Sequence, residues 1–245
     1  MNPSLVFAVL LVSGHLVGEF LVQTRAVAEG KRRIGPLLVH GVGLYAAHWL
    51  LLYPFWTPKL AWGLAVLTAV HLLVDFVRAF RPRTLGYFAV DQALHLVALR
   101  VFWTWYAPDG AAPLREGFAV GDVATFTTIA LLAGAVGLNL RGGDMIVRLL
   151  LARFSSLKAR LDAADDETAR TGRLIGMLER LLLFVMALLG QWGAVGFILT
   201  AKSVARFDKL KRQDFADYYL IGTLASFLVA VVSGLAVRHL LDRLA

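Results

Sequence analysis

The side chains best suited to chemistry in this 245-residue sequence are histidines and carboxylates, and most of them come in pairs. His15/Glu19, His71/Asp75 and Asp91/His95 each set an imidazole and a carboxylate four residues apart. On a helix such residues share a face and lie about 6 Å apart along its axis. If the three segments cross a membrane in turn, the first and third run one way and the fourth runs back. The reversed order of the last pair then puts Glu19, Asp75 and Asp91 at one level, with His15, His71 and His95 one turn deeper. His40 reaches a comparable depth from the second segment, and Gln23 and Gln92 flank the layer. Three carboxylates together repel unless a cation or a proton intervenes. Imidazole plus carboxylate without thiol suits zinc, manganese or iron, so His15, Glu19, His40, His71, Asp75, Asp91 and His95 form a candidate metal set. Any of Glu19, Asp75 and Asp91 left free of the metal is a candidate catalytic base towards bound water. The competing reading is a packing network, with Asp75 bonded to Arg78 at its helix end.

The elements that would hold these residues are apolar runs of about 20 residues, the length that spans a bilayer core. The sequence is 58% hydrophobic and only 17% charged, with a mean hydropathy of +0.68, which predicts an all-α, polytopic membrane bundle. Spans are expected at 4–22, 37–56, 60–78, 86–106, 120–140, 174–200 and 217–238, about seven in a range of six to eight. His15 and Glu19 interrupt the first run, and no basic segment precedes it, so it reads as a retained span rather than a signal peptide. A carboxylate at the centre of a span costs roughly 2.5–3.5 kcal/mol, which argues that the polar layer faces inward. The absence of cysteine excludes disulfides and thiol chemistry.

Loop charges set an expected orientation. Arg25, Lys31, Arg32 and Arg33 in the first connection, and Arg78, Arg81 and Arg83 in the third, point to the cytoplasm and place the N-terminus outside. Tyr53, Trp56, Trp62, Trp103, Trp105 and Tyr106 gather at the expected outer interface. The net charge of +8 fits basic loops against anionic lipid; no nucleic-acid motif accompanies it, and protein partners are not indicated. His48 and His239 lack an acidic partner at four residues and read as structural or interfacial, and Arg100 as snorkelling outward.

The division expected is a four-helix unit at 1–106, a fifth span in 107–140, an amphipathic helix and hinge in 141–173, and C-terminal membrane segments in 174–245. Residues 144–161 read as a basic amphipathic helix suited to an anionic surface, apolar at Met145, Ile146, Leu149, Leu150, Phe154 and Leu157. The run 174–200 crosses either once or as a re-entrant hairpin broken near Gly190 or Gly193; only the hairpin keeps the basic stretch from Lys202 to Arg212 inside. Lys202, Ser203 and Arg206 at a helix end are candidates for an anion or lipid headgroup, or else a positive anchor flanking a span.

GHLVGEFLVQT (14–24), the His40 segment, HLLVDFVR (71–78) and DQALHL (91–96) resemble a bacterial membrane family, domain of unknown function 3307. The match places His15, Gln23, His40, His71, Asp75, Asp91, Gln92 and His95 on that family's polar positions, with Glu19 where an Asp is usual. The resemblance covers roughly residues 1–106 and implies a bacterial inner-membrane location; it supplies no activity. Three functions stay open on these residues: a metal-dependent, hydrolase-like membrane enzyme, an ion- or proton-coupled transporter, and a structural or partner-binding membrane protein.

Overall fold

The computed structural model describes residues 2–107, 114–154 and 166–244, and every regular element among them is helical. The chain begins with α1 (Pro3–Val17), which continues into a π-helical turn at Gly18–Val22. There follow α2 (Arg25–Gly30), α3 (Ile34–Leu51), α4 (Pro58–Ala79), α5 (Leu85–Tyr106) and α6 (Val120–Gly137). A second π turn at Leu138–Gly142 leads to α7 (Gly143–Leu151). The remainder is α8 (Asp166–Leu188), α9 (Trp192–Val204), α10 (Phe207–Leu210) and α11 (Gln213–Leu244). Starts are encoded locally. Asn2, Thr24, Thr57 and Thr84 each accept a backbone N–H of the first turn, and Pro3 and Pro58 stand where a missing N–H costs nothing.

Six helices among the described residues are long and apolar enough to cross a membrane: Pro3–Val22, Ile34–Leu51, Pro58–Ala79, Leu85–Tyr106, Gly121–Leu151 and Phe215–Leu244. The all-α membrane bundle expected from composition is what the chain forms, at the lower edge of the expected count. The amphipathic segment departs from its expected form. Helix runs unbroken from Gly121 to Leu151, so Met145, Ile146, Leu149 and Leu150 extend the fifth apolar helix. Phe154 lies past the helix end, and the part of that segment from 155 onward, with Leu157, falls outside the described residues.

The chain separates into two compact units, one of residues up to Gly137 with the chain end from Leu241, the other Leu138–Leu240. In the first, α1 packs on α3 and α6, α3 on α4, and α4 on α5. The α1–α3 crossing is close because Gly14 and Gly18 lie one turn apart. A Cβ on Gly14 would come 2.8 Å from the His48 ring, and one on Gly18 would come 3.2 Å from the Leu44 Cα. Small residues at this spacing are a usual means of close helix approach in lipid. One end of the bundle is closed by aromatics: Phe7 stacks on Tyr106 at 5.0 Å, and the Tyr106 hydroxyl donates to the Phe55 carbonyl at 3.0 Å. Of the expected interfacial aromatics, Tyr53, Trp56, Trp62 and Trp105 are exposed, whereas Tyr106 is buried.

In the second unit the run 174–200 is not one helix. It breaks between Leu188 and Trp192, where Gly190 takes a positive φ of 70°, a conformation that favours glycine. α8 and α9 pack against each other, and Glu179 pairs with Lys202, nearly equidistant from the break on either side. That pairing makes them an antiparallel hairpin, the broken form of the two expected. At the unit's centre the Arg180 guanidinium donates to the carbonyls of Asn139 and Leu140 and to the Ser226 hydroxyl, and the Asn139 amide donates to Ser233 Oγ at 2.8 Å.

Candidate metal centre in the first helical unit

All four spans of residues 3–106 contribute to one buried polar layer. α1 supplies His15 and its π turn Glu19, α3 supplies His40, α4 supplies His71 and Asp75, and α5 supplies Asp91 and His95. Each of these side chains is buried except Glu19, which is 11% exposed. A π turn is uncommon and frequently marks a functional position. Here it ends α1 with Gln23 N–H bonded to the Gly18 carbonyl at 3.2 Å, and the Gln23 side-chain amide donates to the Glu19 carbonyl at 3.2 Å. Gln23 therefore fixes the backbone that presents Glu19. Gln92 Nε2 donates to Asp91 Oδ2 at 3.1 Å.

Four potential ligand atoms, two carboxylate oxygens and two imidazole nitrogens, converge at the centre of the layer. His40 Nε2 lies 3.1 Å from Glu19 Oε2, from Asp75 Oδ2 and from His71 Nε2 alike. His71 Nε2 is in turn 3.2 Å from Asp75 Oδ2 and 3.6 Å from Glu19 Oε2. One ring N–H can point to only one of these partners. These five separations are close to the edge length of a zinc coordination tetrahedron. A tetrahedron with edges of about 3.2 Å has its centre about 2.0 Å from each corner, which is the bond length of zinc to imidazole nitrogen and carboxylate oxygen. Asp75 with Asp91 and His95 forms a second group whose donor atoms lie within 4.8 Å of one another.

The layer was legible as pairs, but the contacts are mostly between helices. Only His71/Asp75 touches within its own helix; Asp91 and His95 are 4.0 Å apart, and His15 instead sets its ring 5.4 Å from His71 and 5.3 Å from His95. Arg78 does not bond Asp75, as a helix-end pair would require; its guanidinium donates to the Arg81 carbonyl.

Asp75's ionic partner is Lys31, which sequence reading treated only as a loop charge. Its ammonium donates to Asp75 Oδ2 at 2.8 Å and to Glu19 Oε1 at 3.4 Å. Burial by itself would lower its pKa, but the carboxylates of Glu19 and Asp75 outweigh that and hold it above the ordinary lysine value. The signal in the sequence was its place beside the short helix α2, which folds Lys31 back over the layer.

His48 is buried with Nδ1 on the Leu44 carbonyl at 3.0 Å, the structural role expected of it. Arg100 is exposed, its guanidinium 4.5 Å over the Trp103 ring. In the second unit, Lys202 pairs with Glu179, and Ser203 Oγ meets the Tyr219 hydroxyl at 3.1 Å and the Leu199 carbonyl at 2.9 Å. Both are thus engaged by the protein itself. Arg206 follows α9 and precedes α10, half-buried.

Residues 6–114 match the family model described as Protein of unknown function (DUF3307). That range, under half of the chain, contains every residue of the layer, so the similarity to this family lies where the polar side chains converge. No curated protein and no solved structure matches the chain.

Proposed function

We propose that this is a multi-pass membrane protein that binds a divalent transition-metal ion through Glu19, His40, His71 and Asp75 and uses it in hydrolase-like chemistry on a membrane-delivered substrate. The observation that carries the reading is the convergence of four ligand atoms, five of whose mutual separations are 3.1–3.6 Å. Zinc, manganese and iron all suit two imidazoles and two carboxylates. A metal held this way supplies a Lewis acid and acidifies a bound water towards neutrality. Glu19 and Lys31 are the more exposed members of the layer, so substrate would approach past the segment from Thr24 to Arg33. The Lys31 ammonium there would stabilise negative charge developing on the substrate. Bacterial inner membrane, N-terminus outside and anionic lipid around the basic loops complete the proposed setting.

Lys31 also supports a second reading. An ammonium in contact with two buried carboxylates balances charge without metal, and such a relay suits an ion- or proton-coupled transporter. Elemental analysis of detergent-purified protein separates the two. The metal reading expects near-stoichiometric transition metal in the wild type and its loss in His40→Ala and His71→Ala, with helicity by circular dichroism unchanged. Hydrolysis of vesicle-borne esters or phosphodiesters, abolished by a chelator and restored by metal, would then establish the enzyme. Metal-free wild type that remains folded would overturn it in favour of the relay.

A further inference from the structure

The side of the layer next to the proposed ion holds polar atoms that protein neighbours leave without a partner. His95 is 1% exposed, and neither of its ring nitrogens has a hydrogen-bond partner; Asp91 Oδ1 and His15 Nε2 are buried in the same condition. Each such buried atom is costly unless something engages it. Asp75, Asp91 and His95 offer three donor atoms within 4.8 Å of one another, and Asp75 belongs to the first set as well. His71 and His95 lie nearly parallel, with ring centroids 3.9 Å apart and planes inclined by 16°. His71 Nε2 lies 3.2 Å from Asp75 Oδ2, and a His95 ring nitrogen lies within 4.8 Å of an Asp75 carboxylate oxygen. An imidazole binds metal in its own plane, so parallel rings whose ligating nitrogens face the same way would hold ions at about this separation. Paired catalytic ions sit about 3.5–4 Å apart.

We infer that the layer holds a second divalent metal ion on Asp75, Asp91 and His95, with Asp75 bridging it to the first. The inference rests on the first ion's being bound at Glu19, His40, His71 and Asp75. The His15 ring lies beside this group, its centroid 5.3 Å from that of His95. Charge sets a condition on the pair. Glu19, Asp75 and Asp91 carry three negative charges and Lys31 one positive, so a single divalent ion brings the layer to neutrality. The second ion therefore requires Lys31 to release Asp75 and swing outward, and a hydroxide to enter between the ions. Lys31 stands at the partly exposed edge of the layer, where that movement is open to it.

The test is to load metal-free, detergent-purified full-length protein with Mn²⁺ alone and to measure bound ions per chain together with the electron paramagnetic resonance spectrum. The expected result is two Mn²⁺ per chain with an exchange-coupled spectrum. Asp91→Asn and His95→Gln should each retain one ion and show the uncoupled six-line signal. The His95 variant guards against an Asp91 change that fails to fold. One ion per chain in the wild type, unchanged in both variants, would overturn the second site and leave the first standing. No ion in the wild type would overturn both.

Discussion

The polar layer of the first unit and the polar centre around Arg180 in the second differ in the balance of donors and acceptors. Arg180 brings five N–H donors to two carbonyls and a hydroxyl, and Asn139 donates on to Ser233. The layer instead crowds two carboxylate oxygens and two imidazole nitrogens around one point, with one ammonium at its edge. A buried network whose groups satisfy one another fixes helix packing. Carboxylate oxygens and imidazole nitrogens that converge on one point are also a set that can hold a cation. The contrast teaches that burial of polar groups is not in itself a sign of function; what separates the two centres is the kind of ligand their atoms could take.

The largest expected effect is on metal. His40→Ala or His71→Ala should weaken binding by more than about a hundredfold, since even outer-shell changes at metal sites cost 10–100-fold. Metal content after dialysis reads this directly. Arg180→Met should leave metal content unchanged while destabilising the protein by about 1–3 kcal/mol, through the acceptors it strands. Thermal melts in detergent would measure that, and loss of metal in this variant would break the comparison.

Lys31→Met sharpens it. Removing a competing charge should tighten Mn²⁺ binding about tenfold or more, because a unit charge at about 4 Å is worth about 4 kcal/mol at an effective dielectric of 20. Calorimetric titration would show it. The same residue fixes a pH dependence. Its pKa is raised on folding, so its contribution to the metal-free fold is complete below the unfolded value of 10.5 and is lost as pH climbs through the higher folded value. Metal-free wild type should therefore lose stability on this account only above about pH 10.5, and Lys31→Met should lack that alkaline limb. The smallest effect is at the hairpin. Gly190→Ala puts a side chain at φ 70° and a Cβ 2.5 Å from Arg238 Nη1, for a cost of about 1 kcal/mol with metal content untouched.

Much of the site was readable because helical periodicity is strict. Four-residue spacing put His71 beside Asp75, and the reversed order of Asp91 and His95 matched the reversal of α5. Lys31 was not readable in that way. It belongs to no span, and its contact with Asp75 crosses 44 positions of sequence. Nor did periodicity reveal that His40 is the common neighbour of both carboxylates. That follows from the close crossing of α1 and α3, which Gly14 and Gly18 permit. The π turn at Glu19 was equally hidden, because no local residue type demands it.

By itself the sequence determined that the chain forms apolar helices of bilayer length and which polar residues they carry. Hydropathy and the 3.6-residue turn are local properties, so composition and spacing suffice for them. Only the tertiary structure decided which atoms meet. Rotation of each helix about its axis and the distance between axes depend on side chains far apart in sequence. Those two quantities set four donor atoms at the separations of a coordination sphere, brought Lys31 over them, and left His95 and Asp91 with atoms to offer.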